Sequence, residues 1–124
     1  MIEHRFDAAD SILHVKPRSA LEAADFATIA KAVDPQIEKT GHLAGIIIET
    51  ESFPWWDSLG AMVAHFRFLR DHHRKIRKVG LVTDSKPGDV AERLASHFVA
   101  AEIRHFPAGK APAAREWILE KPAS

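Results

Sequence analysis

Two short runs, Ala44-Gly45-Ile46-Ile47-Ile48 and Val79-Gly80-Leu81-Val82, constrain the fold more than any other feature of the chain. Both are apolar without alternation, and β-branched residues dominate them. Runs of this kind are too short for a core helix and read as strands covered on both faces. Such strands need helices packed on each side of their sheet. Segments of helical period lie between and beside them, so the chain is expected to be an α/β domain with a largely parallel sheet.

The flanking sequence completes this pattern. Ile2 to Phe6 and Ser11 to Lys16 alternate with period two around the turn-rich Asp7-Ala8-Ala9-Asp10, which predicts an antiparallel hairpin closed by Pro17. From Ser19 to Lys39, Phe26, Ile29, Ala30, Val33 and Ile37 recur on one helical face, with Gly41 as a stop. Pro35 is expected to kink or interrupt that helix, because it lacks a backbone donor. Asp57 and Ser58 can cap a second helix running to about His72, and Asp89 a third through Phe98. Glu102 to Phe106 reads as a last strand, and Pro112 opens a final helix through Trp117-Ile118-Leu119. The sum is a single domain over residues 1–124: a mixed, mostly parallel five-stranded sheet with an N-terminal hairpin, flanked by about four helices.

Composition removes several classes of function. Lysine plus arginine and aspartate plus glutamate each number 17, so the net charge is zero with neutral histidines. General electrostatic affinity for nucleic acid needs an excess of positive charge, and no nucleic-acid partner is expected. Eight histidines would make the molecule cationic below about pH 6.5. The chain has no cysteine, hence no disulfide, thiolate zinc site or cysteine nucleophile. Met1-Ile2-Glu3-His4-Arg5 lacks the apolar core of a signal peptide and no apolar run approaches a spanning helix, which predicts a cytoplasmic protein.

The stretch from Ile46-Ile47-Ile48-Glu49 through Phe53-Pro54-Trp55-Trp56-Asp57-Ser58-Leu59-Gly60, with His65-Phe66-Arg67-Phe68 and Asp71-His72-His73-Arg74-Lys75-Ile76, resembles the bacterial SpoIIAA-like proteins. Val82-Thr83-Asp84-Ser85, Ala95-Ser96-His97-Phe98 and Ala101-Glu102-Ile103-Arg104-His105-Phe106 extend the likeness, which spans residues 44 to 119 or so. These small domains are related to STAS domains and are compared structurally with the lipid-binding CRAL-TRIO fold. The resemblance implies a sheet of successive βα units, a small hydrophobic ligand and a peripheral association with membranes. In STAS regulators of sigma factors, an Asp-Ser-Ser-Gly loop carries the phosphoacceptor serine. Here the stretch is Asp57-Ser58-Leu59-Gly60, with leucine at the acceptor position.

The candidate binding residues cluster around the second predicted helix. Leu59, Met62, Val63, Phe66 and Leu69 form one apolar stripe, and Ala61, Ala64, His65 and Phe68 a second, more than one sheet contact needs. Phe53, Trp55 and Trp56 precede it in a loop, where they form either a lid or membrane wedge, or a staple folded back on the core. Together with Phe98 of the third helix, Phe53, Trp55, Trp56, Leu59, Met62, Val63 and Phe66 are the expected contacts for a small apolar ligand or lipid. Phe68 with the basic run Arg67, Arg70, Arg74, Lys75, Arg77 and Lys78 suits an anionic membrane surface, a protein partner or a second copy of the chain. The plainer alternative, which the balanced charge favours, is cations placed at a helix C-terminus to complement its dipole.

Asp57, Ser58, Asp84 and Ser85 are candidates for an anion or regulatory site, with N-capping as the ordinary explanation. Glu49 and Glu51 join Asp84 and Ser85 at the ends of buried strands, where paired carboxylates can serve acid-base chemistry but more often bind turns. His72 and His73 are adjacent, so on a helix their rings diverge by about 100° and do not share a metal. No catalytic motif is present, and neither an enzyme, a metal nor a cofactor is expected.

Overall fold

The computed structural model describes residues 2–17, 22–50, 64, 68, 75–83 and 102–120. Strands β1 (Ile2–Asp7) and β2 (Ile12–Pro17) form the N-terminal antiparallel hairpin, with Arg5 opposite His14 and Phe6 opposite Leu13. Its turn is held by Asp7, whose carboxylate accepts from the Asp10 N–H at 3.2 Å. Helix α1 (Ala23–Thr40) buries Phe26, Ile29, Val33 and Ile37, the period-3.6 face read from the sequence. Asp25 anchors the start of α1: its carboxylate accepts from Glu22 N–H at 2.8 Å and from Ile2 N–H at 3.2 Å, tying the helix to the edge of the sheet. Gly41 ends α1 at a φ of 87°, and its N–H bonds the Ile37 carbonyl at 2.7 Å.

Pro35 does not interrupt α1, contrary to the sequence expectation. Its ring lies on the exposed side, where water can satisfy the carbonyl that loses its donor. Val33 and Ile37 on either side of it stay buried, so packing against the sheet carries the helix through the proline.

Strands β3 (Leu43–Glu49), β4 (Ile76–Val82) and β5 (Glu102–Phe106) complete the sheet, whose order is β1-β2-β3-β4-β5. Every pairing after the hairpin is parallel. Stepwise parallel strands joined by right-handed crossovers carry their connections to one face of the sheet. Helix α1 lies on that face over Leu13, Val15, Ile46, Val79 and Leu81. The connection between β3 and β4 meets it there: Ala64 and Phe68 are helical, and the Phe68 ring centroid lies 6.2 Å from that of Phe26.

Helix α2 (Ala111–Leu119) packs on the opposite face, with Ala114, Trp117 and Ile118 buried against Ile12, Ile47, Val82 and Phe106. Two glycines allow its close approach, since a Cβ on Gly45 would lie 2.7 Å from Ile118 and one on Gly80 3.1 Å from Ala114. Arg115 bonds the carboxylates of Asp7 and Asp10 and so clamps the hairpin turn to α2. The guanidinium holds the Asp7 carboxyl below its ordinary value. The mixed five-stranded sheet agrees with the expected fold. Of the four expected helices, the first and last are α1 and α2, the second is represented by Ala64 and Phe68, and residues 89–98 lie outside the described part.

Candidate functional site

Open α/β sheets place their sites beyond the carboxyl ends of the strands. At that edge β3 runs into Glu49 and Thr50, β4 into Thr83, and β5 into Phe106. The ladder continues one step past the strands, with Thr50 N–H donating to the Val82 carbonyl at 3.1 Å and Thr83 N–H to the Phe106 carbonyl at 3.0 Å. Both threonines are buried. His105 Nε2 lies 2.6 Å from the Thr83 carbonyl oxygen. A carbonyl only accepts, so Nε2 carries the hydrogen and the imidazole tautomer is set by the backbone.

The face that α2 occupies is covered only in part. Over β1, β2 and the end of β3 it carries Glu3, Arg5, His14, Lys16 and Glu49, which strand alternation puts on one side. His14 Nε2 is 3.6 Å from one Glu49 oxygen, and Lys16 Nζ is 3.8 Å from the other. Both separations suit ion pairs but exceed hydrogen-bond length, and His14 Nε2 is a buried atom with no hydrogen-bond partner. Burial lowers the His14 pKa from its ordinary value; Glu49 opposes the shift, while Lys16 and Arg5 add to it. His14 is therefore neutral at pH 7.

The sign of the resulting pH dependence follows from that depression. Below about pH 6.5 the unfolded chain binds a proton at His14 more readily than the native one, so stability falls as pH drops from there through the lower native pKa. Chemical denaturation between pH 7.5 and 5 checks this. The wild type is expected to lose stability over that interval by more than His14→Gln does, and equal losses would contradict the assignment.

Of the site residues singled out from the sequence, Glu49, Phe68, Lys75, Arg77 and Lys78 lie in the described part. Phe68, expected on a membrane or partner surface, instead packs against the core cluster beneath α1. Phe68 is partly buried, and its contact with Phe26 and the core cluster outweighs the basic context around it. Lys75 is exposed at the entry to β4. Phe53, Trp55, Trp56, Leu59, Met62, Val63, Phe66, Phe98, Asp57, Ser58, Asp84, Ser85, Arg67, Arg70 and Arg74 lie outside the described residues, as do Glu51, His72 and His73.

Lys78, the last of the basic run, serves a helix other than the one that precedes it. Its Nζ donates to the Trp117 carbonyl at 2.8 Å and sits 5.0 Å from the centre of the Trp117 ring, at the C-terminus of α2. Glu49 was singled out from the sequence as a carboxylate at the end of a buried strand, but its partners His14 and Lys16 and the His105 contact were not. The alternation Ile12-Leu13-His14-Val15-Lys16 does place His14 and Lys16 on one strand face, but their meeting with Glu49 depends on the pairing of β2 with β3. Among the described residues no three histidine or acidic side chains converge as a metal site requires. No helix among them is long and apolar enough to cross a membrane.

A small mixed sheet with a leading hairpin, α1 on one face and a closing helix on the other defines an α/β domain. A SpoIIAA-like family model matches residues 12–119, and the chain belongs to that family. It is similar to the crystal structure of an uncharacterized protein with a SpoIIAA-like fold from Shewanella loihica PV-4. The TM-score is 0.64 at 18% identity, covering 95% of this chain and 92% of that one. No curated protein matches the sequence.

Proposed function

We propose that this chain is a non-catalytic binding domain that holds a small apolar or lipid-like ligand and associates peripherally with membranes. The supporting observation is the placement of Phe68 against Phe26 and the core of the sheet. The sequence spacing groups Ala61, Ala64, His65 and Phe68 in one stripe and Leu59, Met62, Val63, Phe66 and Leu69 in another. Phe68 commits the first stripe to the fold. The second stripe carries five large apolar residues in the sequence, and Phe53, Trp55 and Trp56 stand just before them. Apolar area of that kind suits a ligand or an acyl chain. Lys75 and its basic neighbours suit the anionic headgroups around it.

Tryptophan emission of the full chain tests this, with fatty acids and with vesicles containing anionic lipid as probes. A blue shift with saturation is expected, with its amplitude lost in the double variant Trp55→Ala, Trp56→Ala, whose remaining Trp117 is internal. Emission unchanged by every probe, together with a double variant that sediments with vesicles as the wild type does, would refute the proposal. A stable dimer or complex in sedimentation, without ligand uptake, would assign the same stripe to a protein partner instead.

A further inference from the structure

The polar group on the open face of the hairpin is independent of that reading. Three features of it stand together. Glu49 lies between two possible cationic partners, 3.6 Å from His14 Nε2 and 3.8 Å from Lys16 Nζ, at hydrogen-bond distance from neither. The His14 nitrogen that faces Glu49 is a buried atom with no hydrogen-bond partner, and protonation of the ring would add a positive charge beside the carboxylate. Lys16 keeps 41% of its side chain exposed and can leave the carboxylate for water at little cost.

Among the described residues, the charged groups around His14 on this face are Glu3 and Arg5 from β1, Lys16 from β2 and Glu49 from β3. From α2, Arg115 is engaged with Asp7 and Asp10 at the turn end of the hairpin. With His14 neutral, the two acidic and two basic residues balance. We propose that His14, Lys16 and Glu49 form a proton-driven exchange, in which proton uptake by His14 draws the Glu49 carboxylate off Lys16 and onto the imidazolium. The described residues of the face thereby gain one positive charge, with Lys16 and Arg5 presented to solvent.

Side-chain NMR of the intact chain, titrated from pH 8 to pH 5, tests the exchange. The His14 midpoint is expected to move to lower pH in Glu49→Gln, which removes the counter-charge, and to higher pH in Lys16→Gln, which removes a competitor. The Lys16 ε-methylene signal of the wild type is expected to shift with the His14 midpoint, and to lose that step in His14→Gln. Dispersed amide spectra for each variant confirm that it folds. A Lys16 signal indifferent to His14 protonation, or a His14 midpoint that neither Glu49→Gln nor Lys16→Gln displaces, would overturn the proposal. His4→Gln, on the other face of β1, is expected to leave both unchanged.

Discussion

Trp117→Ala is expected to cost about 3–5 kcal/mol, the range for truncating a buried tryptophan. Trp117 is 9% exposed and is the large side chain through which α2 meets the sheet, with its ring 5.9 Å from Phe106. Its loss also strips the ring beneath Lys78, a cation–π contact worth roughly 0.5–2 kcal/mol when partly desolvated. Against a total of about 5–15 kcal/mol for a domain of this size, the variant would be close to the limit of stability. Urea denaturation should show a large fall in the midpoint with an unchanged slope. Trp117→Phe should recover most of the loss, because it restores the packed ring but not the full area. A midpoint within a few tenths molar of the wild type would mean that α2 does not depend on this residue.

Gly45→Ala is expected to be destabilising by about 1–3 kcal/mol, although replacing glycine in a strand by alanine ordinarily stabilises by about 0.4–1 kcal/mol. The sign is decided by space. A Cβ at position 45 would stand 2.7 to 3.0 Å from three side-chain carbons of Ile118, which real Cβ atoms do not tolerate, so the helix or the isoleucine must move. Gly80→Ala meets Ala114 at the looser 3.1 Å and should cost less. Shortening the opposing side chain gives a second check. Combined with Ile118→Ala, Gly45→Ala should cost less than the sum of the two single changes, since the new methyl enters the space vacated. Strict additivity would show that the contact between α2 and β3 is not what Gly45 permits.

Local physics made much of the fold legible. Steric preference and the solvation of one face decide whether a stretch becomes strand or helix, and both act between near neighbours. The unbroken apolar runs became β3 and β4, the Phe26, Ile29, Val33 and Ile37 stripe became the buried side of α1, and Gly41 stopped that helix in a left-handed turn. Pro35 shows where this reasoning stops. A rule about one missing donor could not count the side chains that hold α1 to the sheet on both sides of the proline.

The likeness to SpoIIAA-like proteins rests on motifs within residues 44 to 119, and the matched span of 12–119 takes in the second strand and α1 as well. For the site, legibility was smaller. Aromatic and basic residues stand out in composition and Glu49 as a carboxylate at a strand end, whereas His14 and Lys16 look ordinary until two strands are laid side by side.

The sequence by itself determined the element types, the hairpin, the mostly parallel sheet and the balance of charge, because these follow from neighbours along the chain and from totals. Only the tertiary structure decided the strand order, the face each helix covers, and the inward turn of Phe68. It also brought Arg115 to Asp7 and Lys78 to the end of α2, and set Glu49 between His14 and Lys16. The reason is that such pairings join residues tens of positions apart. Their energy depends on distance through space, which no local preference specifies.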